Sequence, residues 1–359
     1  EMKYNTYTLD NGLRIIHLPS DSQVVYCGYQ INAGTRNEEP GEEGLAHFCE
    51  HVTFKGTERR KAWHILNCLE SVGGDLNAYT NKEGTVYYSA ILKEHIARAV
   101  DLLSDIVFHS VYPQAEIDKE VEVICDEIES YNDSPAELIY DEFENILFKG
   151  SPLGHNILGT AEQVRAFKTE DALRFTRKLY RPDNAIFFAY GDIDFKKLVK
   201  LIQKALGECP KGRELACSAD CKSAETPTEE RIAEETPTKE RITEETPTGE
   251  TPTEEMEAGD ANHKVQNSKF NVQSKVAGQT IVMLKNTHQA HVMIGTQAYD
   301  VNDDRRMPLY LLNNMLGGPG MNAKLNLALR EHNGLVYTVE STMVAYGDTG
   351  TWSIYFGCD

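Results

Sequence analysis

The sequence predicts an α+β protein, on three observations. Short alternating segments sit beside turn signals, stretches with apolar residues at helical spacing are interleaved with them, and 40% of the 359 residues are hydrophobic. That length and composition can bury two globular cores. Tyr4, Thr6 and Thr8 alternate ahead of Asp10-Asn11-Gly12 and Leu13-Arg14-Ile15-Ile16, a hairpin signal. Val24 to Ile31 reads as a third strand. Helical spacing follows in Ala62, Ile65, Leu66 and Leu69, halted by Gly73-Gly74, and returns in Ile96, Val100, Leu103 and Val107, with a strand from Leu76 to Leu92 between them. Pro113 suits the first turn of a further helix through Ile117, Val121, Ile124 and Ile128, which Asn132-Asp133-Ser134-Pro135 ends.

Charge narrows the partners. There are 36 Lys and Arg against 56 Asp and Glu, a net charge of −20, the wrong sign for gripping phosphates, so no nucleic-acid role is expected. Proteins, peptides or cations are the expected partners. No apolar run reaches the roughly 18 residues of a membrane helix, and Glu1-Met2-Lys3-Tyr4-Asn5-Thr6 lacks a signal-peptide core. The expectation is a cytoplasmic protein without a membrane partner, or a periplasmic one if a targeting segment has been lost. Eight scattered cysteines (27, 49, 68, 125, 209, 217, 221 and 358) read as reduced thiols. Cys217-x3-Cys221 is too little by itself to hold a metal.

Half of the acidic surplus lies in one segment. Asp220 to Asp260 holds 14 acidic and 4 basic residues, and Thr-Pro-Thr recurs at 226, 236 and 246, with a shortened copy at 251. Proline removes helix donors, like charges repel, and a repeat offering only Ile232 and Ile242 cannot bury a solenoid face. The predicted organisation is therefore a first domain over 1–212, a disordered acidic linker over 213–268 and a second domain over 269–359.

His47-Phe48-Cys49-Glu50-His51 carries the chemistry. Four residues apart on a helix, the two imidazoles project from one face and can meet one metal ion. Glu50 lies on the same side, placed to take a proton from a metal-activated water, the inverted zincin order H-x-x-E-H. A catalytic zinc takes a third protein ligand. The helix after Pro113 offers Glu116, Asp118, Glu120, Glu122, Asp126, Glu127 and Glu129, and spacing leaves the choice open, although Glu120 and Glu127 share one stripe.

Together with Glu43-Gly44-Leu45-Ala46, Phe54-Lys55-Gly56-Thr57 and Gly73-Gly74-Asp75-Leu76-Asn77-Ala78-Tyr79-Thr80, this motif resembles the pitrilysin family of inverzincins, that of insulin-degrading enzyme and the mitochondrial processing peptidase. Leu158-Gly159-Thr160, Tyr180-Arg181-Pro182-Asp183-Asn184 and Gly191-Asp192-Ile193 extend the resemblance over the first domain. Beyond the linker, Gly317-Gly318-Pro319-Gly320-Met321, Leu329-Arg330-Glu331 and Gly334-Leu335-Val336-Tyr337 resume it.

The resemblance implies two homologous halves, mixed sheets with helices, the second half without a metal site and incomplete at Asp359. It is read as a fragment, and its acidic linker exceeds the family's shorter one. The family pattern makes Glu127 the third ligand of one zinc per chain, with His47 and His51, and Glu120 a supporting acid that does not bind metal. Arg330 and Tyr337 would stabilise the substrate carbonyl from across a cavity, and the strand with Asn77 and Ala78 would offer its edge to an extended peptide. The implied activity is a zinc endopeptidase acting on unstructured peptides or presequences, with Glu50 as general base, working as a homodimer or with a related subunit. The alternative is a non-catalytic structural or partner subunit.

Overall fold

The computed structural model describes residues 3–207, 266–270, 278–285 and 287–359. The acidic repeat, Cys209, Cys217 and Cys221 lie outside the described residues. Glu1–Cys221 and Gln289–Asp359 cluster into one compact unit and Lys222–His288 into another.

The first unit opens with the hairpin its turn chemistry predicts. β1 (Asn5–Thr8) and β2 (Arg14–Pro19) pair antiparallel, with Asn5 opposite His17. Gly12 takes φ 91° in the turn, a left-handed conformation that disfavours a Cβ. β3 (Val24–Ile31) alternates as its sequence does: Val25, Cys27, Tyr29 and Ile31 are buried, Val24 and Tyr26 exposed. Then come α1 (Leu45–Thr53), α2 (Ala62–Glu70), β4 (Asn77–Thr80), β5 (Thr85–Leu92), α3 (Ile96–Phe108), α4 (Gln114–Asn132), α5 (Pro135–Leu147), α6 (Ala161–Ala166), α7 (Thr169–Leu179), β6 (Ala185–Gly191) and α8 (Phe195–Leu206).

The six strands form one sheet in the order β1-β2-β6-β3-β5-β4, antiparallel except where β2 meets β6. Helix α3 packs against β3, β5 and α8. The sheet's inner face meets the helices around Tyr29, whose ring stands edge-on to Phe108 and Phe187 and whose hydroxyl lies 2.8 Å from Ser104 Oγ. Burying a side chain of this size stabilises the fold by about 1.5–3 kcal/mol.

Two local readings are corrected. The single strand predicted over 76–92 is a hairpin, because Asn81 reverses the chain: its Oδ1 accepts the amides of Glu83 (2.9 Å) and Gly84 (2.8 Å). Pro113 stands one position before the first turn of α4, as its N-cap, and the second proline of that region, Pro135, starts α5.

Later in the same unit, β9 (Ala290–Ala298), α9 (Arg306–Gly317), a π-helical turn (Asn326–Glu331), β10 (Thr338–Ala345) and β11 (Gly350–Cys358) repeat the connectivity of β3, α1, α2, β4 and β5. The pairing order β10-β11-β9 matches β4-β5-β3. α9, standing where α1 stands in the first copy, carries no histidine and no acid. α5 packs against β9, and Phe148, Leu153 and Tyr346 form a small separate core. In the other unit, β7 (Gln266–Phe270) and β8 (Gly278–Val282) form an antiparallel pair. No helix among the described residues is long and apolar enough to cross a membrane.

Candidate active site

The site is assembled where α1 crosses α4 under the edge of the sheet. α1 begins at Gly44, in the left-handed region at φ 94°, with Leu158 and Gly159 packed so closely that a Cβ would meet Leu158 O at 2.7 Å. The Glu38 carboxylate, buried in the preceding loop, accepts the amides of Gly44 (3.1 Å) and Ala46 (2.7 Å), and His155 Nε2 lies 2.8 Å from it. An acid at a helix N-terminus satisfies donors the helix cannot and complements its dipole. Leu45, Ala46, Phe48, Cys49 and Val52 bury the rest of α1 in the core, leaving the other face to present His47, Glu50 and His51. In α4, Ile117, Val121, Ile124 and Ile128 face inward, which turns the Glu120–Glu127 stripe toward that face.

His47, His51 and Glu127 each offer a donor atom, and these atoms lie within 4.8 Å of one another. Glu127 Oε2 is 3.8 Å from His47 Nε2 and 3.3 Å from His51 Nε2, close to the roughly 3.4 Å between donors around a tetrahedral zinc with bonds of about 2.1 Å. Two imidazoles and one carboxylate, with no fourth protein ligand in the group, are the donor set of an open zinc site. The outer nitrogen of His51 is already committed: Nδ1 lies 3.1 Å from Glu120 Oε1, whose other oxygen pairs with Lys55 Nζ at 2.5 Å. A carboxylate behind a histidine fixes its tautomer and turns Nε2 outward. His47 Nδ1 is buried without a hydrogen-bond partner, so packing, including the His51 ring 4.6 Å away centroid to centroid, sets that ring.

The field keeps positive charge off His47 and favours it on His51. Burial and the charge of His51 push the His47 pKa down to about 4, so its imidazole is neutral and free to donate a lone pair. Burial lowers the His51 pKa too, but Glu120 and Glu127 overcome it and hold the value up at about 9. Glu127 is held below the usual carboxylate range by His51. Burial would raise Glu120, yet His51 and Lys55 hold it low. Glu50 goes the other way: burial lifts its carboxyl above the ordinary value, against the Thr80 Oγ1–H that donates to its Oε2 at 2.5 Å. A carboxylate made more basic in this way is better suited to accept a proton.

Thr80 ends β4, the terminal strand of the sheet. Asn77, exposed, and Ala78, half-buried, lie on this strand opposite Tyr88 and Tyr87 of β5. The fold thus brings the β4 edge beside Glu50. Arg330 and Tyr337 are elsewhere engaged: Arg330 lies 3.9 Å from Glu331, and the Tyr337 hydroxyl donates to Asp359. Neither makes an ion pair or hydrogen bond to His47, Glu50, His51 or Glu127 among the described residues. Glu38, Lys55 and Thr80 escaped the sequence reading. Lys55 and Thr80 stand inside the motifs that carried the resemblance, but their partners lie 65 and 30 positions away, and no spacing rule finds a carboxylate six residues ahead of a helix.

Comparison with known proteins agrees with this geometry. Residues 15–161 match Insulinase (Peptidase family M16), and residues 166–359 match the Peptidase M16 inactive domain. An uncharacterized zinc protease of Rickettsia bellii is 31% identical over 355 residues, which cover 98% of this chain and 73% of that protein. The mitochondrial-processing peptidase subunit beta of Saccharomyces cerevisiae is 38% identical over 208 residues, 57% of this chain and 45% of that protein. The crystal structure of a protease from Helicobacter pylori shares the fold, with a TM-score of 0.77 over 99% of this chain and 75% of that one at 19% identity. A His-His-Glu cluster on this duplicated sheet-and-helix frame, together with family matches over both halves, makes the chain a member of the insulinase family of zinc proteases, peptidase family M16.

Proposed function

We propose that the protein is a zinc endopeptidase that hydrolyses extended, unstructured peptides or presequences. The convergence of His47, His51 and Glu127, with Glu50 on the same turn of α1, is the observation that carries this reading. His47 Nε2, His51 Nε2 and the Glu127 carboxylate would hold the ion, and Glu120 would keep His51 turned toward it. When bound, zinc supplies a Lewis acid that polarises the scissile carbonyl and acidifies water in its open position. Glu50 takes a proton from the attacking water as its oxygen bonds to the carbonyl carbon. It then passes that proton to the amide nitrogen as the C–N bond breaks, leaving a carboxylic acid and an amine. Thr80 orients the Glu50 carboxylate for both transfers.

The outer edge of β4, unpaired among the described residues, supports an extended substrate, because backbone pairing to an edge strand is indifferent to side chains while requiring an unfolded partner. The net charge of −20 favours basic peptides. That a relative is named a subunit supports a dimer, of two copies or with a related chain, as the working assembly.

The test measures zinc per chain and cleavage of a quenched, basic, unstructured peptide, with and without chelator, for wild type and Glu50→Gln. One zinc in both proteins, with chelator-sensitive cleavage in wild type alone, is the expected result. Zinc without cleavage in wild type would return the reading to a non-catalytic subunit, and a Glu50→Gln protein that still cleaves would remove Glu50 as the base.

A further inference from the structure

The turn between β4 and β5 is gripped from both copies of the repeat. From the first copy, the amides of Thr35 and Arg36 donate to the carbonyls of Asn81 (3.3 Å) and Lys82 (2.8 Å). Lys82 is buried at 3% exposure, with its ammonium donating to the His155 carbonyl. From the second copy comes the β10–β11 turn. The amide of Gly347 donates to both oxygens of Glu83, at 2.9 and 3.1 Å. Arg36 Nη1 pairs with Glu83 Oε1 at 2.7 Å, while its Nη2 pairs with Asp348. The neighbouring Tyr346 anchors this second turn, with its ring against Phe148 and its hydroxyl donating to Glu144 at 2.7 Å.

We propose that this clasp of Arg36, Glu83, Gly347 and Asp348 makes the β10–β11 turn a positioning element for peptide binding, so that the second copy of the repeat sets the β4 edge the substrate pairs with. The inference rests on the peptidase reading above and deepens it. β4 is only four residues long and, among the described residues, is paired on one side. A strand so short frays unless its turn is held, and an incoming peptide must then order strand and turn at its own expense. Thr80, the residue before the turn, is also the donor to Glu50. Single surface ion pairs contribute little. Here one carboxylate receives a guanidinium and an amide from different parts of the chain, an arrangement that fixes geometry even where it adds little stability.

The test uses the full zinc-loaded chain. Glu83→Ala removes the centre of the clasp, Asp348→Asn weakens its outer end, and Glu83→Gln keeps an acceptor for Gly347. KM and kcat are measured on the quenched basic peptide alongside zinc content, with hydrogen exchange followed at residues 77–85 and across α1. For Glu83→Ala, KM should rise about five- to tenfold with kcat held within about twofold, since a bound peptide orders β4 and returns Thr80 to Glu50, so the lost preorganisation falls on binding. Exchange should quicken at 77–85 and stay unchanged in α1, zinc content should be that of wild type, and Glu83→Gln should restore most of the KM. An unchanged KM, or a fall in kcat at constant KM, overturns the proposal. If wild type proves inactive, the peptidase reading falls, and the clasp falls with it only if exchange at 77–85 is the same in Glu83→Ala and wild type.

Discussion

Replacing Glu38 by alanine should loosen the start of the helix that carries His47, Glu50 and His51. Glu38 is 9% exposed, and its carboxylate accepts the amides of Gly44 and Ala46 beside the His155 ring. Alanine leaves two buried amides without an acceptor, at about 1–3 kcal/mol each. Against this, burial pushes the Glu38 carboxyl above its ordinary value in spite of those bonds, so the fold holds the charge at some cost that alanine removes. The net loss should be about 2–3 kcal/mol. With a urea slope of about 3 kcal/mol per molar for a chain of this size, the midpoint should fall by about 0.7–1 M. Urea titration followed by circular dichroism and by the fluorescence of Trp63 and Trp352 reads this directly. A midpoint within about 0.2 M of wild type would refute the claim that Glu38 anchors α1.

Three further outcomes follow from the same geometry. The Glu38 carboxyl has a folded pKa above its ordinary 4.5, so it binds more protons folded than unfolded and its contribution to stability falls as pH rises from about 4.5 through the folded value. Relative to Glu38→Gln, wild type should therefore gain stability between pH 7 and pH 5, and paired urea midpoints showing the opposite slope would contradict the raised value. Glu120→Gln leaves His51 Nδ1 with a neutral partner and unpairs Lys55, so zinc affinity should drop about 10- to 100-fold by chelator competition while the fold is kept. Gly28→Ala would press a Cβ onto the Tyr87 carbonyl and to 2.8 Å from Phe188 Cζ. Overpacking at such a site costs about 1–3 kcal/mol, and a thermal midpoint equal to wild type would show that β3 and β5 can part there without loss.

The local elements were largely legible because each is written in a short stretch of chain. The alternation of Val24–Ile31, the spacing of Ile96, Val100 and Leu103, and the i, i+4 histidines each encode their own geometry, and β3, α3 and α1 form where these signals lie. Legibility failed where a polar residue acted against its local pattern. Asn81 broke the stretch read as one strand into a hairpin through side-chain bonds that hydrophobic periodicity does not register. Pro113 closed the entrance to α4 from outside its first turn.

At the site, the sequence by itself determined which atoms can do chemistry: two imidazoles and a carboxylate on one face of α1, and a run of acids on α4. It could not choose Glu127 from its acidic neighbours without a family resemblance, because every residue on that stripe has the same chemistry and helix spacing alone does not say what the stripe faces. Only the tertiary structure decided that Glu127 meets both histidines while Glu120 backs His51, that Glu38 closes the start of α1, and that a turn near the end of the chain holds the strand beside Glu50. The physical reason is range. Periodicity and capping act over a few residues and are written locally, whereas a hydrogen bond between positions 83 and 347 exists only after the core has folded the chain back on itself.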